Sequence, residues 1–291
     1  IIGIEPTSIS KIDGIGIADI SKLGGQTVET TSYLLDTYGT GVEAAWSVRL
    51  LSSTYTGYCM KIRVVDGVTD PEYDIGFVAG ELDTADILTK AGSDDTRVVT
   101  WYDQTGNGND ATQGYAPSQY QIADSGSIFI GLGSKPALDA PNQNAYYNIT
   151  LSTSLTQPCT HFIVTEPHNK HNRASFGEVA TQKTSGHFTT YYLNAGINLT
   201  NTTRTVHTSL GTSFFDGTDS EYWVDGVSVI SGDAGANDST KIYLGYGSME
   251  PGVFKYFQEY IVFDADKTSD RVAIETEMST YYSITYPGSG P

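Results

Sequence analysis

From Asp103 to Asp110 the chain runs Asp-Gln-Thr-Gly-Asn-Gly-Asn-Asp, which gathers oxygen donors at short spacing around two glycines. Calcium takes about six to eight oxygen ligands, and glycines let a short loop wrap round the ion. Asp103, Asn107, Asn109 and Asp110 are therefore candidate metal ligands, although no bidentate glutamate closes the loop in the EF-hand manner. The same residues also suit a Gly-Asn turn network in which Asp103 caps backbone amides. Aromatic rings stand beside this loop. Sugars bind by laying an apolar face on such rings while Asn and Asp take the hydroxyls. On that chemistry Trp101, Tyr102, Asp103, Asn107 and Asn109 are glycan-binding candidates, joined by Tyr191 and Tyr192. Tyr115, Tyr120, Tyr146 and Tyr147 also lie near Asn- and Gln-rich stretches, and all these tyrosines can equally be strand or subunit-contact residues.

Carboxylates offer a second kind of chemistry. Retaining glycoside hydrolysis needs two of them about 5 Å apart across one sugar. The chain has 34 Asp and Glu against 16 Lys and Arg, a net charge of -18. Glu178, Glu250 and Glu259 are the acids open to such a role, but nothing in their spacing brings two together. The sparse, scattered basic residues exclude duplex nucleic acid and anionic membranes as partners. No apolar run reaches the length of a membrane helix, so no membrane insertion is expected. Cys59 and Cys159 match no metal spacing, and they read as a disulfide or as two buried thiols.

The elements that must position these groups are strands. Thirty-one glycines, 20 tyrosines and abundant Thr, Ser and Asn describe short pleated strands joined by turns. Cys59–Val65, Arg97–Tyr102, Thr160–Thr165, Lys241–Gly245 and Tyr256–Phe263 read as strands. Glu221–Trp223 and Val227–Ile230 read as a hairpin about Asp225-Gly226. A short helix is expected over Leu82–Lys90, capped by Asp83, with Ile87 and Leu88 inward. A closing helix is expected after a Thr268 or Ser269 cap, with Asp270 in its first turn and Ile274, Met278 and Tyr281 on one face. Ile9–Gly14 recurs as Ile20–Gly25, so residues 1–30 read as a β connector or shaft element and 31–291 as one domain.

A family resemblance rests on three segments. Ala44–Gly57 (Ala-Ala-Trp-Ser-Val-Arg-Leu-Leu-Ser-Ser-Thr-Tyr-Thr-Gly) and Asp74–Thr84 resemble the start of the catalytic domain of the α-L-arabinofuranosidase B family. Trp101–Gln113, with Tyr-Asp-Gln-Thr-Gly-Asn-Gly-Asn at its centre, resembles that family's Tyr-Asp-Gln-Ser-Gly-x-Gly-Asn signature. The resemblance implies an all-β, jelly-roll sandwich of two antiparallel sheets, concanavalin- or laminin-G-like, with a short C-terminal helix.

The second half departs from the family. Ala174-Ser175-Phe176-Gly177-Glu178 lacks the family's adjacent cysteines, and Tyr192-Leu193-Asn194-Ala195-Gly196 puts an amide where the resemblance calls for a nucleophilic glutamate. The expectation is accordingly a non-catalytic virion-surface module, a phage fibre tip or capsid decoration. It would contact cell-surface glycan and other fibre subunits as a homo-oligomer, at an extracellular or virion surface. No cofactor is expected other than a calcium ion in the Asp103–Asp110 loop. A purely structural oligomer and an arabinofuranosidase-like hydrolase are the alternatives.

Overall fold

The computed structural model describes residues 32–141, 145–166, 191–202, 209–245 and 256–286, together with the backbone of several further short strands. Two antiparallel sheets pack face to face. The larger runs Val227–Gly232, Ser220–Val224, Leu210–Phe215, Cys159–Glu166, Tyr256–Phe263, Leu138–Asp139, Gln121–Asp124, Asp95–Trp101, Met60–Val65 and Glu72–Ile75, and Val42–Ser47 also pairs with Tyr256–Phe263. The smaller runs Tyr147–Leu155, Ser239–Leu244, Ala174–Gly177, Lys183–His187, Thr190–Asn194 and Asn198–Asn201. Alternation decides which side chains meet between them. Met60, Ile62 and Val64 are buried while Lys61, Arg63 and Val65 turn outward. The core is aromatic: Tyr120 stacks on Tyr147 at 5.3 Å, and Trp101 meets Phe257 edge-on at 5.3 Å. Tyr147 Oη donates to Val98 O at 2.7 Å, joining one sheet to the other.

Tyr256–Phe263 is buried almost throughout because both of its faces are covered. A register shift opposite Val164 and Thr165 flips its alternation. Phe257 and Tyr260 thus point to the inter-sheet core, where Tyr260 stacks on Trp46 at 5.9 Å. Glu259 instead emerges beneath the C-terminal helix, Arg271–Tyr281. There Arg49 holds it with Nε–Oε2 at 2.8 Å and Nη2–Oε1 at 2.9 Å, and reaches Glu277 on the helix through Nη1 at 2.6 Å. Ser47 Oγ and Tyr282 Oη also donate to Glu259 Oε2, at 2.6 and 3.0 Å. Glu259 is fully buried and Arg49 is 6 % exposed, so the charges are satisfied by each other and by hydrogen bonds rather than by water.

Both expected helices exist with shifted details. The first is Thr84–Ala91, and Asp83 accepts from Asp86 N as its cap. Leu82 instead belongs to a two-stranded pair with Phe77–Val78, and the buried partner of Ile87 is Ala91, with Leu88 only half-buried. The closing helix starts at Arg271, one residue after Asp270. Thr268 does not cap it, because its hydroxyl bonds to Asp266 at 2.6 Å. Ile274 and Met278 are buried as expected, whereas Tyr281 is half-buried, its ring under Arg49 at 4.3 Å and Lys135 at 4.0 Å. The predicted hairpin forms, with Asp225 at φ 49° and Gly226 at φ 82° supplying the left-handed turn. Cys59 and Cys159 do not form a disulfide; both thiols are buried, Cys59 donating to Ser47 O. The eleven-residue repeat reappears as two short hairpins, Lys11–Ile12 with Ile15–Gly16 and Lys22–Leu23 with Gln26–Thr27. The rest of the expected connector lies outside the described residues.

Two predictions follow from buried charge. Arg49→Met strands Glu259 without its cation, and urea unfolding is expected to show a loss of about 3–5 kcal/mol; a loss under about 1 kcal/mol would contradict the packing described. Asp225 is raised from 3.8 to about 6, chiefly by burial and against the hydrogen bonds from Leu210 and Ser209. The folded state therefore holds this proton more tightly than the unfolded chain, so ionisation weakens the fold as pH rises from near 4 to 6. Asp225→Asn is expected to flatten the pH dependence of the melting temperature in that window, and an unchanged profile would refute the assignment.

Candidate functional site

The Asp103–Asp110 loop is a latch between the sheets. Asp103 is 3 % exposed. Its Oδ1 accepts from Ala45 N at 2.9 Å and Thr105 N at 3.0 Å, and its Oδ2 from Thr105 Oγ1 at 2.7 Å and Asn109 N at 3.1 Å. Those four donors use the lone pairs of both oxygens. Asp110 Oδ1 accepts from Asp103 N, while the amides of Asn107 and Asn109 donate to Glu43 O. Asn109 Oδ1 then accepts from Ser152 N on the smaller sheet at 2.8 Å. Gly106 and Gly108, at φ 83° and 80°, provide the left-handed turns this path requires. Both oxygens of Asp103, one of Asp110 and Asn109 Oδ1 are thus engaged by protein donors. Among the described residues, no three His, Cys, Asp or Glu side chains are grouped to hold a metal.

Burial corrects several glycan candidates. Trp101 is fully buried and donates to Ser47 O, Asn109 is 1 % exposed, and Tyr191 is 4 % exposed with its ring edge-on to Tyr222. None of these can present a face to a sugar, and neither can buried Asp103. Tyr120 and Tyr147 are core residues for the same reason. Asn107 is exposed, but its amide is tied to the backbone. Tyr102 and Tyr192 remain half-exposed.

Tyr192 belongs to a constellation that pairing alone makes visible. Along Thr190–Asn194, Tyr191 and Leu193 enter the core, so Tyr192 and Asn194 share the outer face of the smaller sheet. Register carries a row across all six strands of that sheet: Asn148 opposite Tyr243, then Gly177, Lys183, Asn194 and Asn198. Tyr192 sits in the adjoining row beside Ser185 and Thr200. Asn148 and Asn198 are exposed, and Tyr243 and Asn194 are half-buried. Asn194 Nδ2 donates to Asn198 Oδ1 at 2.9 Å, and Asn194 Oδ1 accepts from Gly196 N at 3.3 Å. In sequence Asn148 and Asn198 stand out only as the first residues of Asn-x-Thr sequons, and Tyr243 only through the polar alternation of its strand; register is needed to align them.

Of the three acids singled out, Glu259 is excluded from catalysis by its buried pairing with Arg49. Glu178 and Glu250 lie outside the described residues.

Comparison with solved structures agrees with this architecture. An arabinofuranosidase complexed with arabinofuranosyl-α-1,2-xylobiose superposes with a TM-score of 0.64 at 16% identity, covering 86% of this chain and 65% of its own. A GH54 α-L-arabinofuranosidase soaked with a cyclic sulfate inhibitor gives a TM-score of 0.65 at 15% identity over the same shares. At such identity the likeness establishes the fold, and this chain spans about 65% of the length of those proteins. No protein-family profile matches the chain, and no curated protein does. No helix among the described residues is long and apolar enough to cross a membrane.

The fold is thus an all-β sandwich of the arabinofuranosidase kind. The comparisons overturn the expectation of a non-catalytic virion module, since the structures sharing the fold over 86% of the chain are glycoside hydrolases. Virion and fibre-subunit partners have no support in them.

The latch makes its own prediction. Asp103→Ala leaves several buried donors unpaired and is expected to cost about 3 kcal/mol or more by chemical denaturation. The wild-type melting temperature is expected to be equal in calcium and in EDTA; a rise with calcium would return the loop to cation binding.

Proposed function

We propose that this domain is a glycoside hydrolase acting on arabinofuranosides, with its substrate lying across the outer face of the six-stranded sheet. The observation that carries the reading is the coincidence of an arabinofuranosidase-like fold with an exposed row of amides and tyrosines on one sheet face. Tyr192 and Tyr243 offer rings to the apolar side of a sugar, and Asn148, Asn194 and Asn198 offer both donors and acceptors to its hydroxyls. The chain's acidity disfavours polyanionic substrates and suits a neutral glycan. A polysaccharide substrate also fits an extracellular setting.

Hydrolysis requires two carboxyl groups, one donating a proton to the leaving oxygen and one attacking the anomeric carbon or activating water. Asn194 cannot attack in that way, and in this reading it orients a sugar hydroxyl or the water. Glu178 directly follows Gly177, a member of the row, and Glu250 lies on the segment leading from the strand that carries Tyr243. We assign the acid–base and nucleophilic roles to this pair.

The test is release of arabinose from 4-nitrophenyl α-L-arabinofuranoside and from arabinoxylan. Glu178→Gln and Glu250→Gln are each expected to lower kcat by about 10²-fold or more with unchanged thermal unfolding. Asn194→Ala is expected to lower kcat/KM by about tenfold, equivalent to one lost hydrogen bond. No release by the wild type from any arabinose-bearing substrate would end this reading.

A further inference from the structure

The outer face of the larger sheet carries a second cluster that neither the sheet core nor the proposed substrate row uses. Lys61 points outward between buried Met60 and Ile62, and its register partner Asp74 stands on the edge strand. Tyr102 Oη reaches across to donate to Asp74 Oδ1 at 2.6 Å, while Lys61 Nζ lies 4.0 Å from the same oxygen. Tyr102 N donates to Cys59 O, on the residue that follows Tyr58.

Tyr58 is 53% exposed, the largest exposed fraction of any tyrosine in the described core strands and their turns apart from Tyr115. Its ring lies over Gly76, where an added Cβ would come 3.8 Å from Tyr58 Cδ1. Tyr55 supports it from below. Its hydroxyl donates to Tyr58 O at 2.8 Å, and its ring packs edge-on to Phe77 at 6.5 Å. A side chain at Gly57 would meet the Tyr55 hydroxyl at 2.5 Å, so glycine keeps that support in place. Burial first, then nearby negative charge, holds the Tyr55 and Tyr102 phenols well above the usual tyrosine range, with Asp110 acting on both. Exposed Asp110 accepts from Asp103 N, next to Tyr102 in the chain, which puts it at the margin of the same surface.

We infer that Tyr58, Tyr102 and Asp74, bordered by Tyr55 and Asp110, form an auxiliary binding surface for a neutral polysaccharide chain. The inference rests on the domain being carbohydrate-active. The chemistry favours that occupant for three reasons. An exposed ring set over Gly76, with its backbone anchored by the Tyr55 hydroxyl, gives a platform for the apolar face of a sugar. Two carboxylates and a phenol beside it accept hydroxyl hydrogen bonds. The acidic surplus repels a polyanion from the same surface. An open platform, unlike a closed pocket, suits internal units of a chain. This surface is built on other strands than the row containing Tyr192 and Asn194, so occupancy here can hold the domain on a polymer without entering the reaction.

Affinity gel electrophoresis with soluble arabinoxylan in the gel tests the idea, with polygalacturonate as the polyanionic control. Wild-type protein is expected to be retarded by arabinoxylan and not by polygalacturonate. Tyr58→Ala is expected to weaken that retardation at least about fivefold, as loss of a stacking contact would, and Asp74→Asn to weaken it independently. Turnover of 4-nitrophenyl α-L-arabinofuranoside by Tyr58→Ala should stay at the wild-type level. Retardation that survives both substitutions, or that is absent from the wild type, overturns the inference. If the wild type hydrolyses nothing yet shows Tyr58-dependent retardation, this surface stands and the hydrolase reading falls. If it hydrolyses the arabinoside but retardation ignores Tyr58, the reverse holds.

Discussion

Glu259 sits at the centre of the larger sheet with no access to water, and Arg49 is what makes that position tolerable. Burying one carboxylate alone carries a penalty of several kcal/mol, so the fold supplies a two-pronged guanidinium contact and two hydroxyl donors at once. The arrangement depends on the register shift in Tyr256–Phe263, without which Glu259 would face the aromatic core. Since Arg49 also grips Glu277, the same cation fixes the C-terminal helix over the sheet. This buried charge thus serves architecture.

The latch at Asp103 does for the two sheets what Arg49 does for helix and sheet. Through Asp103 it holds Ala45 in the larger sheet, and through Asn109 it holds Ser152 in the smaller one. The strand containing Ser152 also carries Asn148, the first member of the outward row. A loop with the composition of a binding site therefore holds a strand of the other sheet in place. Family signatures of this kind report on folding as readily as on chemistry, because a buried carboxylate collecting backbone amides tolerates few replacements.

Much of the sandwich was legible in the amino-acid order because period-two alternation and turn residues act locally. Met60–Val65 and the Asp225-Gly226 hairpin are determined by neighbours within a few positions, and they form as read. Trp101 and Tyr191 were misassigned for a reason that local pattern cannot reveal. A tyrosine or tryptophan has the same composition signal on either face of a strand, and only the packing partner, Phe257 or Tyr222, decides which face is buried. Glu259 defeated the reading in a similar way, since its partner Arg49 is 210 residues distant in sequence. The row from Asn148 to Asn198 was least visible of all. Its members come from six strands, and no sequence rule sets their mutual register.

That row has an evolutionary corollary. Asn194 adjoins buried Leu193 along its strand, Asn148 adjoins Ile149 and Tyr243 adjoins Ile242. A single inserted or deleted residue within these strands would turn the core side chains out to solvent and the row inward. Length variation is therefore barred from this surface, while point substitutions at outward positions leave the interior undisturbed. Diversification of this sheet face must proceed one side chain at a time, on a lattice whose spacing is fixed by the backbone.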